Sequence, residues 1–437
     1  MTSPYISNTD ADRKAMLEST GAASVADLFL EIPESHRDPA LDLPTPLSEF
    51  DLIGEFRSLS LENANLEDYA CFLGAGSYNH YVPSVVRHLA GRSEFYTSYT
   101  PYQAEISQGT LQTTYDFQSM VCHLTGMDVA NAGMYDGSTA LAEAALMACR
   151  LTRRRNVLVL DSVSPLYRDT IACYMAPQHI GITVSSPDAL APNDETACII
   201  VQYPDFYGRI ESLAAYADAA HEAGALLVVS ADPVALAMFR APGDYGADIV
   251  VGEGQAVGSP TAFGGPYVGL FAAKTMHLRQ MPGRIVGKTT DDRGREGYVL
   301  TLQTREQHIR RQTATSNICT SEALVALAST AYLTAVGPKG LAHVAELCYH
   351  KAHYAASRIA AIPGYSLAFD VPFFREFVVQ CPRSPSEIIP ALLESRIVGG
   401  LDVSDTVPNG MLLCVTEVNT RDQIDQLVQA LENVAQS

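Results

Sequence analysis

Lysine is scarce in this chain: 437 residues hold five, at Lys14, Lys274, Lys288, Lys339 and Lys351. Positive charge as a whole is outnumbered, with 29 Lys and Arg against 49 Asp and Glu, a net charge of −20. That balance excludes nucleic acid as a sequence-independent partner and an anionic membrane as a docking surface, since both need a basic face. It serves solubility instead. Long apolar runs are missing too, and the opening Met1–Asp10 has no basic stretch followed by an apolar one, so neither a membrane span nor a secretory leader is expected. The nine cysteines contain no Cys-x-x-Cys, and Cys149, Cys198 and Cys414 lie in apolar contexts. Buried, reduced thiols in a cytoplasmic protein follow.

Several motifs stop short. Gly74-Ala75-Gly76 opens like a dinucleotide fingerprint, but Asn79 stands where the third glycine belongs. No Gly-x-Ser-x-Gly elbow occurs. His350 and His353 are one helical turn apart with no third ligand nearby, which suits a solvated helix face better than a metal site. Arg305, Arg310 and Arg311 with His308 form a basic cluster that fits either a carboxylate partner or structural ion pairs.

What the chain does have is alternation. Residues 1–60 read as a helical arm, with Thr9 and Asp10 capping one helix and Ala23–Leu30 a second. The aromatic, proline-punctuated segment Tyr78–Gln103 suits a pocket wall, a subunit contact or a packed loop. From residue 126, short apolar strands (Asp128–Asn131, Asn156–Leu160, Ile182–Ser185, Ala197–Gln202) alternate with helices (Ser138–Arg150, Pro165–Met175, Leu213–Ala223). That is a βαβ series, hence an α/β fold with a mostly parallel sheet. Gly283–Gly297 reads as a charged exposed loop, and Ser321–Ala335 as a helix ending at Gly337-Pro338. Residues 336–437 change to a smaller α+β domain, leaving 61–335 as the large one.

The densest signal runs from Leu226 to Ala273. Leu226–Ser230 is continuously apolar, as a strand buried on both faces should be, and ends at Asp232. Ala247–Val251 ends at Gly252-Glu253-Gly254-Gln255, and Gly264-Gly265 turns into Pro266–Ala273. Earlier, Asp136-Gly137-Ser138-Thr139 begins an apolar helix, where free N–H groups and hydroxyls suit an anion or a plain cap.

This arrangement resembles the fold type I pyridoxal phosphate (PLP) transferases, the aspartate-aminotransferase-like enzymes. The resemblance implies that Gly137, Ser138 and Thr139 stand where the PLP phosphate is cradled and Asp232 where the ring nitrogen is paired. It also implies a Schiff-base lysine at position 255, where this chain has Gln255. A carboxamide cannot form an imine. None of the five lysines follows a parallel strand at the sheet edge where α/β sites form. Without the covalent bond, a charge at a helix N-terminus gains about 1 kcal/mol, against about 8 for micromolar affinity. The four residues are therefore vestigial cofactor-binding candidates, and no catalytic or metal residue is expected in this chain.

Longer stretches narrow the resemblance. Thr100–Gly109, Met134–Ala140, Phe263–Pro266, Arg305–Arg311 and Ala314–Thr320 are similar to the N-terminal half of the glycine decarboxylase P-protein of the glycine cleavage system. The length fits the α-subunit of its split, two-chain form. The resemblance implies a β-subunit (subunit 2) that carries the PLP lysine, an α2β2 heterotetramer, glycine as substrate and the lipoylated H-protein as acceptor of the aminomethyl group. The enzyme would be a decarboxylating glycine dehydrogenase, with this chain inactive alone and forming structure and interface. Tyr99, Thr100, Tyr102, Gln103 and Glu105 are then the candidates for reaching the partner's pocket. Two other readings stand beside it: a self-sufficient PLP enzyme such as an aminotransferase or cysteine desulfurase, which needs a lysine at 255, and a scaffold built on a PLP fold.

Overall fold

The computed structural model describes residues 5–319 and 322–436. Thr320 of the last motif and Ser321 at the expected helix start lie outside the described residues. The chain divides between Asn63 and Ala64 into two compact units. In the first, Asp10–Thr20 is a helix whose N-cap Thr9 accepts from the Asp12 N–H, while Asp12 accepts from Thr9 in return. A second helix, Glu49–Leu61, is capped by Ser48. Neither buries a residue, and Phe50, Ile53 and Phe56 are 85%, 62% and 64% exposed.

The second unit is built on a seven-stranded sheet. Its strands are β1 (Val129–Ala130), β2 (Asn156–Leu160), β3 (Gly181–Ser185), β4 (Thr196–Tyr203), β5 (Leu226–Ala231), β6 (Ile249–Glu253) and β7 (Gly269–Ala273). They lie in the order β1-β7-β6-β5-β4-β2-β3. β3, β2, β4, β5 and β6 are parallel, and β7 runs antiparallel to β6 and β1. The centre is dry: Val157, Ile199, Ile200, Val228, Val229 and Val250 are fully buried. Strands buried on both faces need helices above and below. One of these, Gly137–Thr152, is apolar almost all round because it is enclosed, with Ala140, Leu141, Ala144, Ala145 and Met147 wholly buried.

The C-terminal part forms a four-stranded antiparallel sheet of Ser366–Leu367, Glu376–Gln380, Gly410–Cys414 and Leu401–Asp402, in that spatial order. The amphipathic helix Arg421–Gln436 covers it through Ile424, Leu427 and Leu431. Earlier chain joins it: Ala70–Cys71 pairs in parallel with Ile397–Val398. Ala323–Ala360 is two helices, broken at Gly337 with φ 63° and ψ 176° ahead of Pro338. The expected open loop Gly283–Gly297 is instead mostly a hairpin, β8 (Ile285–Thr290) and β9 (Glu296–Thr301). The charged stretch Asp291–Arg295 forms its turn, and the Gln118 side chain pins it through both N–H and C=O of Val286.

Candidate functional site

The parallel strands end on one edge of the sheet, at a cleft. Gln202 from β4, Asp232 just past β5 and Glu253 at the end of β6 project there. Ser164 comes from the turn after β2, Tyr167 from the helix Pro165–Met175 that follows it, and Arg375 and Glu376 from the start of a strand of the C-terminal sheet. Ligand sites in open α/β sheets form at this edge.

Gln255 is completely buried beneath it. Its Oε1 accepts from the Tyr78 N–H at 2.8 Å, and its Nε2 donates to Tyr78 O and Ser259 O, each at 2.9 Å. The carboxamide pairs with Tyr78 as a neighbouring β-strand would, using donor and acceptor together. A lysine here has no acceptor capacity and would leave the Tyr78 N–H orphaned.

Glu253 closes the start of the Gly137–Thr152 helix. Its Oε2 accepts from the Gly137 N–H at 2.9 Å and its Oε1 from the Gln255 N–H at 3.0 Å. Burial pushes this carboxyl up to about 7, against those hydrogen bonds and with help from the Asp136 charge. Asp136 is the N-cap, accepting from the Thr139 N–H at 2.8 Å and the Ser138 hydroxyl at 2.7 Å. The contact leaves no slack: a Cβ on Gly137 would fall 2.8 Å from the Tyr167 hydroxyl and 2.9 Å from the Glu253 nitrogen.

A second network fills the other wall. Arg375 is 1% exposed and donates to Asp232, whose other oxygen accepts from the Val234 N–H at 2.9 Å. The guanidinium lies 3.5 Å from the Tyr78 ring centroid, a desolvated cation–π contact. Burial opposes its charge most strongly, but Asp232 together with Tyr78 and the nearby thiols Cys414 and Cys348 outweighs it, and the net pKa is raised. Arg375 also donates to His80 Nε2, so the proton on His80 sits on Nδ1 and goes to Glu417 at 2.6 Å. Burial lowers the His80 pKa, which agrees with a neutral ring accepting from an arginine. Glu376 accepts from the Ala75 N–H at 2.6 Å and the Tyr78 hydroxyl at 2.8 Å, and burial pushes it up to about 7. His80, Cys348 and Glu417 present three ligand-type atoms within 4.8 Å of one another. Hydrogen bonds and the adjacent guanidinium already use them.

The sequence candidates are thus brought together: Gly137, Ser138 and Thr139 lie at the helix start beside Glu253, and Asp232 lines the cleft. Tyr99, Thr100, Tyr102, Gln103 and Glu105 do not line it. Tyr99 is 78% exposed, and Tyr102 accepts from Arg284 at 3.2 Å beside His308. No lysine lines the cleft: Lys274 is held by Asp248 at 2.5 Å at the opposite end of β6, Lys288 by Glu296, and Lys351 by Asn419 O. Of the basic cluster, Arg305 is spent on backbone carbonyls, including Gly283 O at 3.0 Å. His353 stacks on Phe373 at 4.0 Å, a packing role. Sequence reading missed Arg375, Glu376, Glu417 and Tyr167. The available signal was an Arg-Glu pair inside the apolar run Phe373–Val379.

These residues do not fit PLP. The N–H of Gly137 and the N–H of Thr139 are already taken by carboxylates, and Asp232 is already paired. A phosphate at the helix start would face Asp136 and would have to displace Glu253 from the Gly137 N–H. Like charges about 4 Å apart repel by roughly 4 kcal/mol at an effective dielectric of about 20.

A mostly parallel sheet closed by an antiparallel strand, with a smaller α+β domain at its carboxyl edge, is the architecture of the fold type I PLP-dependent enzymes. A sphingosine-1-phosphate lyase of Burkholderia pseudomallei shares it at TM-score 0.63 and 16% identity, over 93% of this chain and 94% of the lyase. Within that class the chain belongs to the glycine cleavage system P-protein family, whose model matches residues 3–431. A protein of Thermomicrobium roseum named probable glycine dehydrogenase (decarboxylating) subunit 1 is 52% identical, covering 97% of this chain and 98% of the relative. A like-named protein of Chlorobium limicola is 50% identical, over 98% and 99%. The crystal structure of an inhibitor-bound glycine decarboxylase (P-protein) of the glycine cleavage system superposes at TM-score 0.94 with 42% identity, over 99% and 100%.

Proposed function

We propose that this chain is the α-subunit of a two-chain glycine decarboxylase and that it works without a cofactor of its own. One observation carries the reading: position 255 holds a buried carboxamide locked to Tyr78, and no lysine lines the cleft. The partner β-subunit holds PLP on its own lysine. Together, in an α2β2 assembly, the two decarboxylate glycine, release CO2 and pass the aminomethyl group to the lipoyl arm of the H-protein. PLP supplies the electron sink for the carbanion.

In this reading 61–335 is the large domain, 336–437 the small one and 1–60 an arm. Gly137, Ser138, Thr139 and Asp232 are vestiges of a cofactor site. Tyr99, Thr100, Tyr102, Gln103 and Glu105 are the candidates for contact with the partner's pocket; the strong exposure of Tyr99 is consistent with that. Nine cysteines without a disulfide agree with a cytoplasmic setting, and no helix among the described residues is long and apolar enough to cross a membrane.

Glycine–CO2 exchange tests the proposal. The purified chain alone should show none, the mixture with subunit 2 and H-protein should, and exchange by the lone chain would refute it.

A further inference from the structure

We infer that the cofactor pocket of this chain is filled from within: Glu253 takes the phosphate's place at the helix start, Arg375 takes the ring nitrogen's place at Asp232, Gln255 replaces the lysine, and the filled pocket ties the C-terminal sheet to the large sheet. This rests on the subunit reading above and adds what occupies the site and what the occupant does.

Each anchoring group is already partnered, and its partners belong to the chain. The Gly137 N–H donates to Glu253 at 2.9 Å, and the Thr139 N–H and Ser138 hydroxyl donate to Asp136. Asp232 receives the Arg375 guanidinium, which covers the face of Tyr78 at 3.5 Å. Gln255 holds Tyr78 from below by two backbone hydrogen bonds. Tyr78 is therefore clamped between a residue of the β6 turn and a residue of the C-terminal sheet. Glu376 adds a bond to the Tyr78 hydroxyl, and Gly208 lets the β4 turn approach until a Cβ would sit 1.9 Å from Glu376 O. The missing lysine is thus one of three changes, and restoring it alone leaves two anchors blocked.

The experiment uses the full chain. Pyridoxamine phosphate, which carries the phosphate and ring but no aldehyde, is titrated into it by calorimetry. No binding is expected up to millimolar ligand; micromolar binding would overturn the inference. Gln255→Lys is then incubated with PLP, reduced with borohydride and peptide-mapped. No phosphopyridoxyl group should appear at residue 255, and stoichiometric labelling would show that the pocket is open. The triple variant Glu253→Ala, Arg375→Met, Gln255→Lys should label where the single variant does not. Amide exchange reads the tie: Arg375→Met should speed exchange in Glu376–Gln380 by about tenfold or more, and unchanged protection would remove the claim. Exchange of glycine with CO2 in the presence of subunit 2 reports on the subunit assignment alone, so the two can fail separately.

Discussion

Arg375 has few ways to be replaced. It is a buried cation whose charge is answered by Asp232, whose face meets Tyr78 and whose second amino group donates to neutral His80. Removing one member of a buried pair leaves the other uncompensated, which typically costs about 3–5 kcal/mol. Arg375→Met should lose stability in that range by denaturant unfolding, and Asp232→Asn in the same background should recover a large part of it. A double variant that is merely additive would mean the two charges are not coupled. Glu376 gives a pH test. Its carboxyl is raised from 4.5 to about 7 by burial, so the folded state binds the proton more tightly than the unfolded one. Stability from this group is fully present below about pH 4.5 and is lost as pH rises through about 7. Glu376→Gln mimics the protonated acid. It should unfold at a higher temperature than the parent at about pH 8, with the gap closing towards about pH 5.

At the scale of elements, the Gly137–Thr152 helix shows why an apolar segment needs a defended end. Its first residue, Gly137, is buried against Glu253, so that N–H cannot turn to water and takes the carboxylate instead. Asp136→Ala removes the acceptor for Thr139 N and Ser138 Oγ and should cost about 1–2 kcal/mol. The turn after β4 is more demanding. Gly208 has φ +83° and its would-be Cβ falls 1.9 Å from Glu376 O, so Gly208→Ala combines backbone strain with a clash against main chain. It should destabilise more than Asp136→Ala, by about 3 kcal/mol or more. Equal thermal midpoints for the two variants would contradict the close approach.

For the whole molecule, the two units differ in what they bury. Every core cluster draws on residues from Ala70 onward, and the two helices of residues 5–63 bury nothing. Exposed Phe50, Ile53, Phe56 and Leu61 on one short helix form an apolar surface of the kind that partner chains cover. Deleting residues 1–63 should leave the remainder cooperatively folded by calorimetry yet weaken co-elution with subunit 2 at micromolar concentration. Loss of folding would place those side chains in the core of the chain itself.

The sequence by itself determined the pieces that depend on local pattern. Continuous apolar runs such as Leu226–Ala231 announced strands buried on both faces, because burial of that kind leaves no polar alternation. The βαβ series, the acid at Asp232, the glycine at the start of an apolar helix and the carboxamide at 255 could all be read in one dimension. Helix ends came close where the sequence punctuates them, as at the Thr9 cap and over Pro165–Met175. Tyr298–Leu302 could be read as a strand, but its hairpin partner Ile285–Thr290 was hidden because Lys288 and the charged turn Asp291–Arg295 read as loop. Only the tertiary structure decided what fills the cleft. Arg375 stands 143 residues from Asp232, and Glu417 337 residues from His80, and no local pattern encodes such pairings. The polarity of a buried pocket is set by which distant strands converge on it, and that convergence is a property of the folded sheet.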